Sequence, residues 1–244
     1  MKIHLPHRED ATFYGVQKET IIQKNLDKRF IHMLRTNAMN EYSFTALVKR
    51  KSIMKISDKR SDVMQAALEL IAEQGFHGAP MADIAEKAGV AAGTIYRYFE
   101  NKDVLITELY RELKDKMNAT LLESYPVESP LRERFLYLIR ELLRYFIKNP
   151  FHFRYMEQYF NSPYGISMHR DRLLGKSGNQ DIAMEIFREG SSQQILKDLS
   201  VAVLFSLAFG PLISLIRDHT LGFICLDETL IQKISEACWD GIKR

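Results

Sequence analysis

The sequence predicts an all-α protein in two parts, a small N-terminal group of three helices and a larger helical domain behind it. Three observations carry this. Apolar residues recur at intervals of three and four along most of the 244 residues, and few segments alternate with the period of two that marks a half-buried strand. Helix punctuation is dense early on, with Gly75, Pro80, Gly89 and Asn101 falling inside about thirty residues. Beyond "ESYPVESP", residues 123–130, the apolar stripes lengthen and the breaks thin out.

The elements follow in order. Residues 1–53 carry ten Lys/Arg against five Asp/Glu and one possible stripe, Ile22, Leu26, Phe30 and Leu34. They are read as a disordered or loosely attached extension, or an upstream-start artefact, because Met54 opens a stretch that reads as a natural start. The remaining residues hold 24 basic and 26 acidic side chains, so the net charge of +3 comes from the extension and is no argument for a polyanion partner. A first helix is expected from Asp58 to Gln74, with Val63, Ala67, Leu70 and Ile71 on one face and Gly75 as its stop. A second runs from Pro80 to Ala88, with Pro80 at its first position and Asp83 and Glu86 toward the positive end of the helix dipole. Gly89 turns the chain into a third short helix, residues 91–99, "AAGTIYRYF".

Asn101 caps a fourth helix that carries Leu105, Leu109 and Leu113 and continues to about Leu122. Further helical patterns cover about 130–148, 150–160, 179–189, 193–217 and 227–242, and the Gly-, Ser- and Pro-rich stretch Asn161–Gly178 is expected to be a loop. The organisation predicted is therefore an extension, 1–53, a small domain, 54–104, and a larger one, 105–244.

One run has two open readings. Leu199–Ile216 is 18 residues long without a charge, which is the short limit for a membrane span. The protein would then be a helical, membrane-associated interaction protein. Gly210–Pro211, three serines and the lack of a second span favour a helix buried in a core or between subunits. The two cysteines, Cys225 and Cys238, form no Cys-x-x-Cys pair and suit a reducing, cytoplasmic setting. The mixed-charge N-terminus offers no signal-peptide apolar region. Gly-x-Ser-x-Gly, His-Glu-x-x-His, P-loop and dinucleotide-glycine patterns are absent from the sequence. No catalytic residues, metal ligands or cofactor are expected, and the protein is not read as an enzyme.

The third helix has a division of labour. At 100° per residue Ile95 and Phe99 point one way and can bury against Ile84 and Ala85. Thr94, Arg97 and Tyr98 fall on the opposite arc, with Gly93 beside them and Tyr96 at the flank. A helix–turn–helix needs this arrangement, one face packing while the other enters a major groove. Small residues at Ala91, Ala92 and Gly93 let the backbone approach DNA, the hydroxyls suit phosphate oxygens, and Arg97 suits guanine or phosphate. A plain helical hairpin with surface tyrosines is the competing reading.

Residues 58–105 resemble the DNA-binding domain of TetR-family bacterial transcriptional regulators. The resemblance rests on Gly75-Phe76, Asp83-Ile84-Ala85, Ala88-Gly89-Val90, Gly93-Thr94-Ile95-Tyr96-Arg97-Tyr98-Phe99 and Asn101-Lys102-Asp103-Val104-Leu105. It spans about a fifth of the chain. It implies a homodimeric, ligand-responsive repressor on a palindromic operator, with double-stranded DNA, a second copy and a small effector as partners and no membrane. Carried over by position, Thr94, Tyr96, Tyr98 and Lys102 resemble phosphate contacts, Gly93 and Arg97 base-edge contacts, and Lys59 and Arg60 backbone contacts before the first helix. Ala92 stands where many members have a polar residue, and Ala79-Pro80 where many have a Thr or Ser pair, so polar base readout is sparse.

The resemblance also implies a dimer bundle from the helices about 193–217 and 227–242, and an effector pocket among the helices between. "FHFRYMEQYFNSPYG" gives that pocket candidate walls in Tyr155, Met156, Tyr159, Phe160 and Tyr164, joined by Met184 and Phe187, which suits a lipophilic or aromatic ligand. A plain core stripe is the other reading of these aromatics. His152 and His169 are candidate polar contacts.

Overall fold

A computed structural model describes residues 59–173 and 181–244. The extension 1–53, with its Ile22–Leu34 stripe, lies outside the described residues, as does the side chain of His169. Ten helices and no strand occur among the described residues.

Helix α1, residues 59–74, buries Val63, Met64, Ala67, Leu70 and Ile71 and ends where Gly75 adopts φ +78°. Its last turn closes with Gly75 N donating to the Ile71 carbonyl at 2.9 Å. Helix α2, Met81–Lys87, has Pro80 as its N-cap rather than as its first residue. Helix α3, Ala92–Ile95, is shorter than the nine residues expected. After Ile95 the backbone tightens, Arg97 N bonding to Thr94 O at 3.1 Å and Tyr98 N to Ile95 O at 3.0 Å, both three residues back, before Phe99 N returns to Ile95 O at 3.0 Å. Ile95 and Phe99 are fully buried with Ile84 and Ala85, as their spacing demands. Each such apolar burial stabilises by about 1.5–3 kcal/mol, enough to hold so short a helix in place.

Helix α4, Lys102–Leu122, starts from Asn101, whose side chain accepts from Val104 N at 2.9 Å. Its 21 residues span about 31 Å at 1.5 Å per residue. Then come α5, Leu131–Lys148, α6, Pro150–Phe160, and α7, Pro163–Leu173. The last lies where a loop was expected. Pro163 suits a helix start, Ser162 Oγ donates back to the Tyr159 carbonyl at 2.6 Å, and Gly165 allows a tight corner, so residues that read as loop builders instead turn one helix into the next.

Helix α8, Ile182–Ser192, is capped by Asp181. Residues 193–200, expected to be helical, are not. Gln194 takes φ +56°, a left-handed helix stop. Leu196 bridges to Lys243, Lys197 N donates to Ile242 O, and Arg244 N to Ile195 O. Helix α9, Val201–Thr220, therefore begins later than expected, and α10, Glu228–Ile242, starts at its Asp227 cap.

Two hydrophobic clusters organise these helices. One joins α5, α8, α9 and α10 around Phe135, Ile139, Phe187, Leu204 and Trp239. The other joins α1–α4 around Ile71, Ile84, Phe99 and Leu105, and takes in Tyr155, Met156 and Tyr159 of α6. Met117 and Phe146 pack against both. Helix α9 is long and apolar enough to cross a membrane by length and composition. Only one stripe of it, Leu204, Ala208, Leu212 and Ile216, is buried within the chain, while Val203, Leu207 and Ile213 are more than 40% exposed. The described residues alone do not cover this helix on most sides.

Candidate nucleic-acid interface

The surface around α3 is built from the anchoring just described. With Ile95 and Phe99 buried, Ala91, Ala92, Gly93, Tyr96 and Arg97 are exposed, and Thr94 and Tyr98 are half-buried. Tyr98 packs against the α1–α4 cluster, so only part of its ring is free. A Cβ placed on Gly93 would meet nothing within 4 Å, so the protein's own packing does not require glycine there.

The cations on this side differ in what already holds them. Lys59 is exposed. Arg60 Nη2 donates to Glu108 at 2.7 Å and Nη1 to Glu112 at 3.4 Å, and its guanidinium lies 5.3 Å from the centre of the Phe99 ring. Lys102 donates to the Phe76 carbonyl, and burial lowers its pKa against a smaller opposing effect of Asp103. An ammonium has three hydrogens, so this bond leaves Lys102 capacity for a phosphate.

The aromatic candidates for an effector pocket divide. Tyr155, Met156 and Tyr159 are buried in the α1–α4 cluster. The Tyr155 hydroxyl donates to the Ile106 carbonyl at 2.6 Å, and burial pushes its pKa well up. Tyr159 stacks on Tyr110 with centroids 4.1 Å apart. Tyr164 stacks on Tyr159 and donates to Asp103 at 2.6 Å, a bond that pushes its pKa up to about 12. Phe160 is 38% exposed and meets Tyr110 edge-on. Met184 and Phe187 sit apart from these in the other cluster, where Phe187 meets Phe205 and Phe209. His152 is half-buried and pairs with the Tyr145 hydroxyl at 2.8 Å. Among the described residues no group of three His, Cys, Asp or Glu is placed to hold a metal ion.

Sequence reasoning quoted Phe76 and Asp103 only as motif residues, without a contact for either, and missed Glu108, Glu112 and Gln158. The Glu108/Glu112 pair has the i, i+4 spacing that makes a clamp for one cation, the one signal that was available.

A short outward-facing helix of small, hydroxyl and guanidinium side chains, pinned by two apolar residues to a preceding helix, defines a helix–turn–helix DNA-binding protein. The comparisons narrow the class. Residues 63–109 match "Bacterial regulatory proteins, tetR family", and residues 130–243 match "Tetracyclin repressor-like, C-terminal domain". The chain belongs to the TetR family of transcriptional regulators.

An uncharacterised HTH-type transcriptional regulator of Haemophilus influenzae is 24% identical over 189 residues, which is 77% of this chain and 97% of that one. A TetR-family protein structure from Vibrio parahaemolyticus is 29% identical with a TM-score of 0.61, covering 76% of this chain and 99% of that one. The fold is also that of a Bacillus subtilis FadR structure in complex with stearoyl-CoA, at 21% identity and TM-score 0.58, over 74% of this chain and 96% of that one.

Proposed function

We propose that this protein is a cytoplasmic, ligand-responsive repressor that binds a palindromic operator as a homodimer and is released by a small lipophilic or aromatic effector. The observation that carries the reading is the surface of α3, where Gly93, Thr94, Tyr96 and Arg97 face out from an anchored helix and packing makes no demand for the glycine. In this reading Gly93 and Arg97 meet base edges. Thr94, Tyr96, Tyr98, Lys59 and Lys102 meet phosphates, while Arg60 is occupied by Glu108 and Glu112. Residues 54–104 form the DNA-binding domain and 105–244 the effector and dimer domain.

Dimerisation is supported by the uncovered face of α9, where Val203, Leu207 and Ile213 need a partner surface. The effector's chemistry is supported by the aromatic ring of Phe187, Phe205 and Phe209 beside Met184, and by the stearoyl-CoA in the Bacillus subtilis FadR complex. The test is protection of DNA flanking the protein's own gene, with sedimentation of the free protein. A dimer that protects a two-fold-symmetric site, half-sites roughly one 34–36 Å turn or a multiple apart, is the expected result. A monomer, or a protein that protects no site there, overturns the reading.

A further inference from the structure

The helix–turn–helix joins the rest of the chain at two places, the Gly75–Phe76 turn before α2 and Lys102–Asp103 at the start of α4. One short corner, the end of α6 and the start of α7, grips both. Gln158 Nε2 donates to the carbonyls of Ile71 at 2.8 Å and Ala72 at 3.4 Å. These belong to the last turn of α1, where the Ile71 carbonyl also accepts from Gly75 N at 2.9 Å, so Gln158 adds a second donor there. The ring of Phe76 stands edge-on between Tyr155 and Tyr164, with centroids 6.0 and 5.6 Å away. Tyr164 also donates to Asp103 at 2.6 Å, and Lys102 donates to the Phe76 carbonyl. Phe76, Lys102, Asp103 and Tyr164 thus close a loop of contacts around the base of the helix–turn–helix.

The same corner reaches the other way. Glu157 accepts from Arg217 Nε at 3.0 Å, and Arg217 lies in the last turn of α9. Consecutive side chains of a helix point about 100° apart. At its end, therefore, α6 offers Glu157 to α9 and Gln158 to α1. Helix α4 is the continuous link between the two parts, but α6 is a second, non-covalent strut between α9 and the helix–turn–helix.

We propose that Gln158 and Tyr164 are positioning residues that set the orientation of the recognition helix relative to α9, and so the half-site spacing that the dimer accepts. The assignment rests on the operator-binding reading above. Both side chains are only partly buried, so water can satisfy the groups that their removal frees. Losing them relaxes the orientation more than it destabilises the fold. Tyr164 in particular holds Asp103 by a charge-assisted bond, which is directional as well as strong.

The test uses the full chain, its footprinted operator, and versions with the half-sites moved by one or two base pairs. Each base pair displaces a half-site by about 3.4 Å and rotates it by about a tenth of a turn. Tyr164→Phe keeps the ring and removes the donor. Gln158→Met keeps the volume and removes the donor. Affinity is measured for each variant on every spacing, with the salt slope and the thermal midpoint alongside. Wild type should prefer the native spacing sharply. The double variant should bind the native operator about tenfold more weakly and the shifted ones no more weakly than wild type, flattening the profile. Its salt slope should be unchanged, because no phosphate contact is removed.

A purely structural role would lower the thermal midpoint and leave the shape of the spacing profile intact, and that result overturns the assignment. If either single variant fails to fold, the other carries the same test. A wild type that binds no operator removes the underlying reading, and with it this one. A wild type that binds but tolerates every spacing overturns the assignment alone.

Discussion

Replacing Arg60 by alanine separates two roles for a basic residue at the start of α1. If Arg60 meets a phosphate, its loss removes one released counterion, and the slope of log affinity against log salt falls by about 0.9. The structure gives its guanidinium other work, bridging Glu108 and Glu112 on α4 and lying over the Phe99 ring. Side-chain exposures of 40% for Arg60 and about a third for both glutamates put each ion pair in the range of about 0.2–1 kcal/mol. The contact with the ring adds about 0.5–1 kcal/mol. Glu112 keeps Lys116 as a partner at 2.9 Å, so that pair falls at the low end. The total loss on Arg60→Ala is about 1–1.5 kcal/mol, a drop of roughly 2–6 °C in midpoint for a domain of this size. Most of the ion-pair share should vanish in high salt. The assay is thermal unfolding at low and high salt, with salt-dependent operator binding beside it. A lower midpoint with an unchanged salt slope is expected. An unchanged midpoint with a slope reduced by about one would refute the reasoning and return Arg60 to the phosphates.

Three further outcomes follow from particular contacts. Gly165→Ala would put a Cβ 2.3 Å from the Tyr159 carbonyl oxygen and 2.6 Å from the Phe160 Cα, backbone atoms that cannot swing aside. A loss of about 1–3 kcal/mol in denaturant unfolding is expected, and an unchanged midpoint would show that the α6–α7 corner yields freely. His152 has its pKa lowered from about 6.5 by burial and then by Lys116. The unfolded chain therefore takes up the proton first, so stability is complete above pH 6.5 and declines as pH falls through that value toward the lower folded one. The thermal midpoint should drop between pH 7.5 and 5.5 by more in wild type than in His152→Gln, and parallel curves would exclude this linkage. Val203→Asp and Ile213→Asp on the uncovered face of α9 should give a folded monomer in sedimentation, whereas a persistent dimer would place the interface elsewhere.

What could be read without coordinates was what depends on neighbours four residues away. Asn101 caps α4 and Gly75 stops α1, because a capping oxygen or a left-handed backbone acts on the adjacent turn. Ile95 and Phe99 bury together for the same reason, one turn apart on one face. The family motif was legible because it runs through this local segment without a gap. Where local signals compete, sequence reasoning failed. Ser162, Pro163 and Gly165 are loop residues by composition, yet here they form the corner into α7, since a tight corner needs the same small or pre-bent residues. Residues 193–200 continue the apolar pattern, but Gln194 reverses the backbone and the strip pairs with Lys243 and Arg244, almost fifty residues on.

Only the tertiary structure could assign partners to the half-buried polar groups. Arg60 finds Glu108, Gln158 finds Ile71 and Tyr164 finds Asp103, across separations of 48, 87 and 61 residues. Nor could periodicity tell which core an aromatic joins. Tyr155 and Phe187 sit equally well on apolar stripes, yet one secures the DNA-binding helices and the other packs with α9. A stripe specifies that a face is buried. The element that buries it is chosen by how all the faces pack at once, and that choice is a property of the assembled chain.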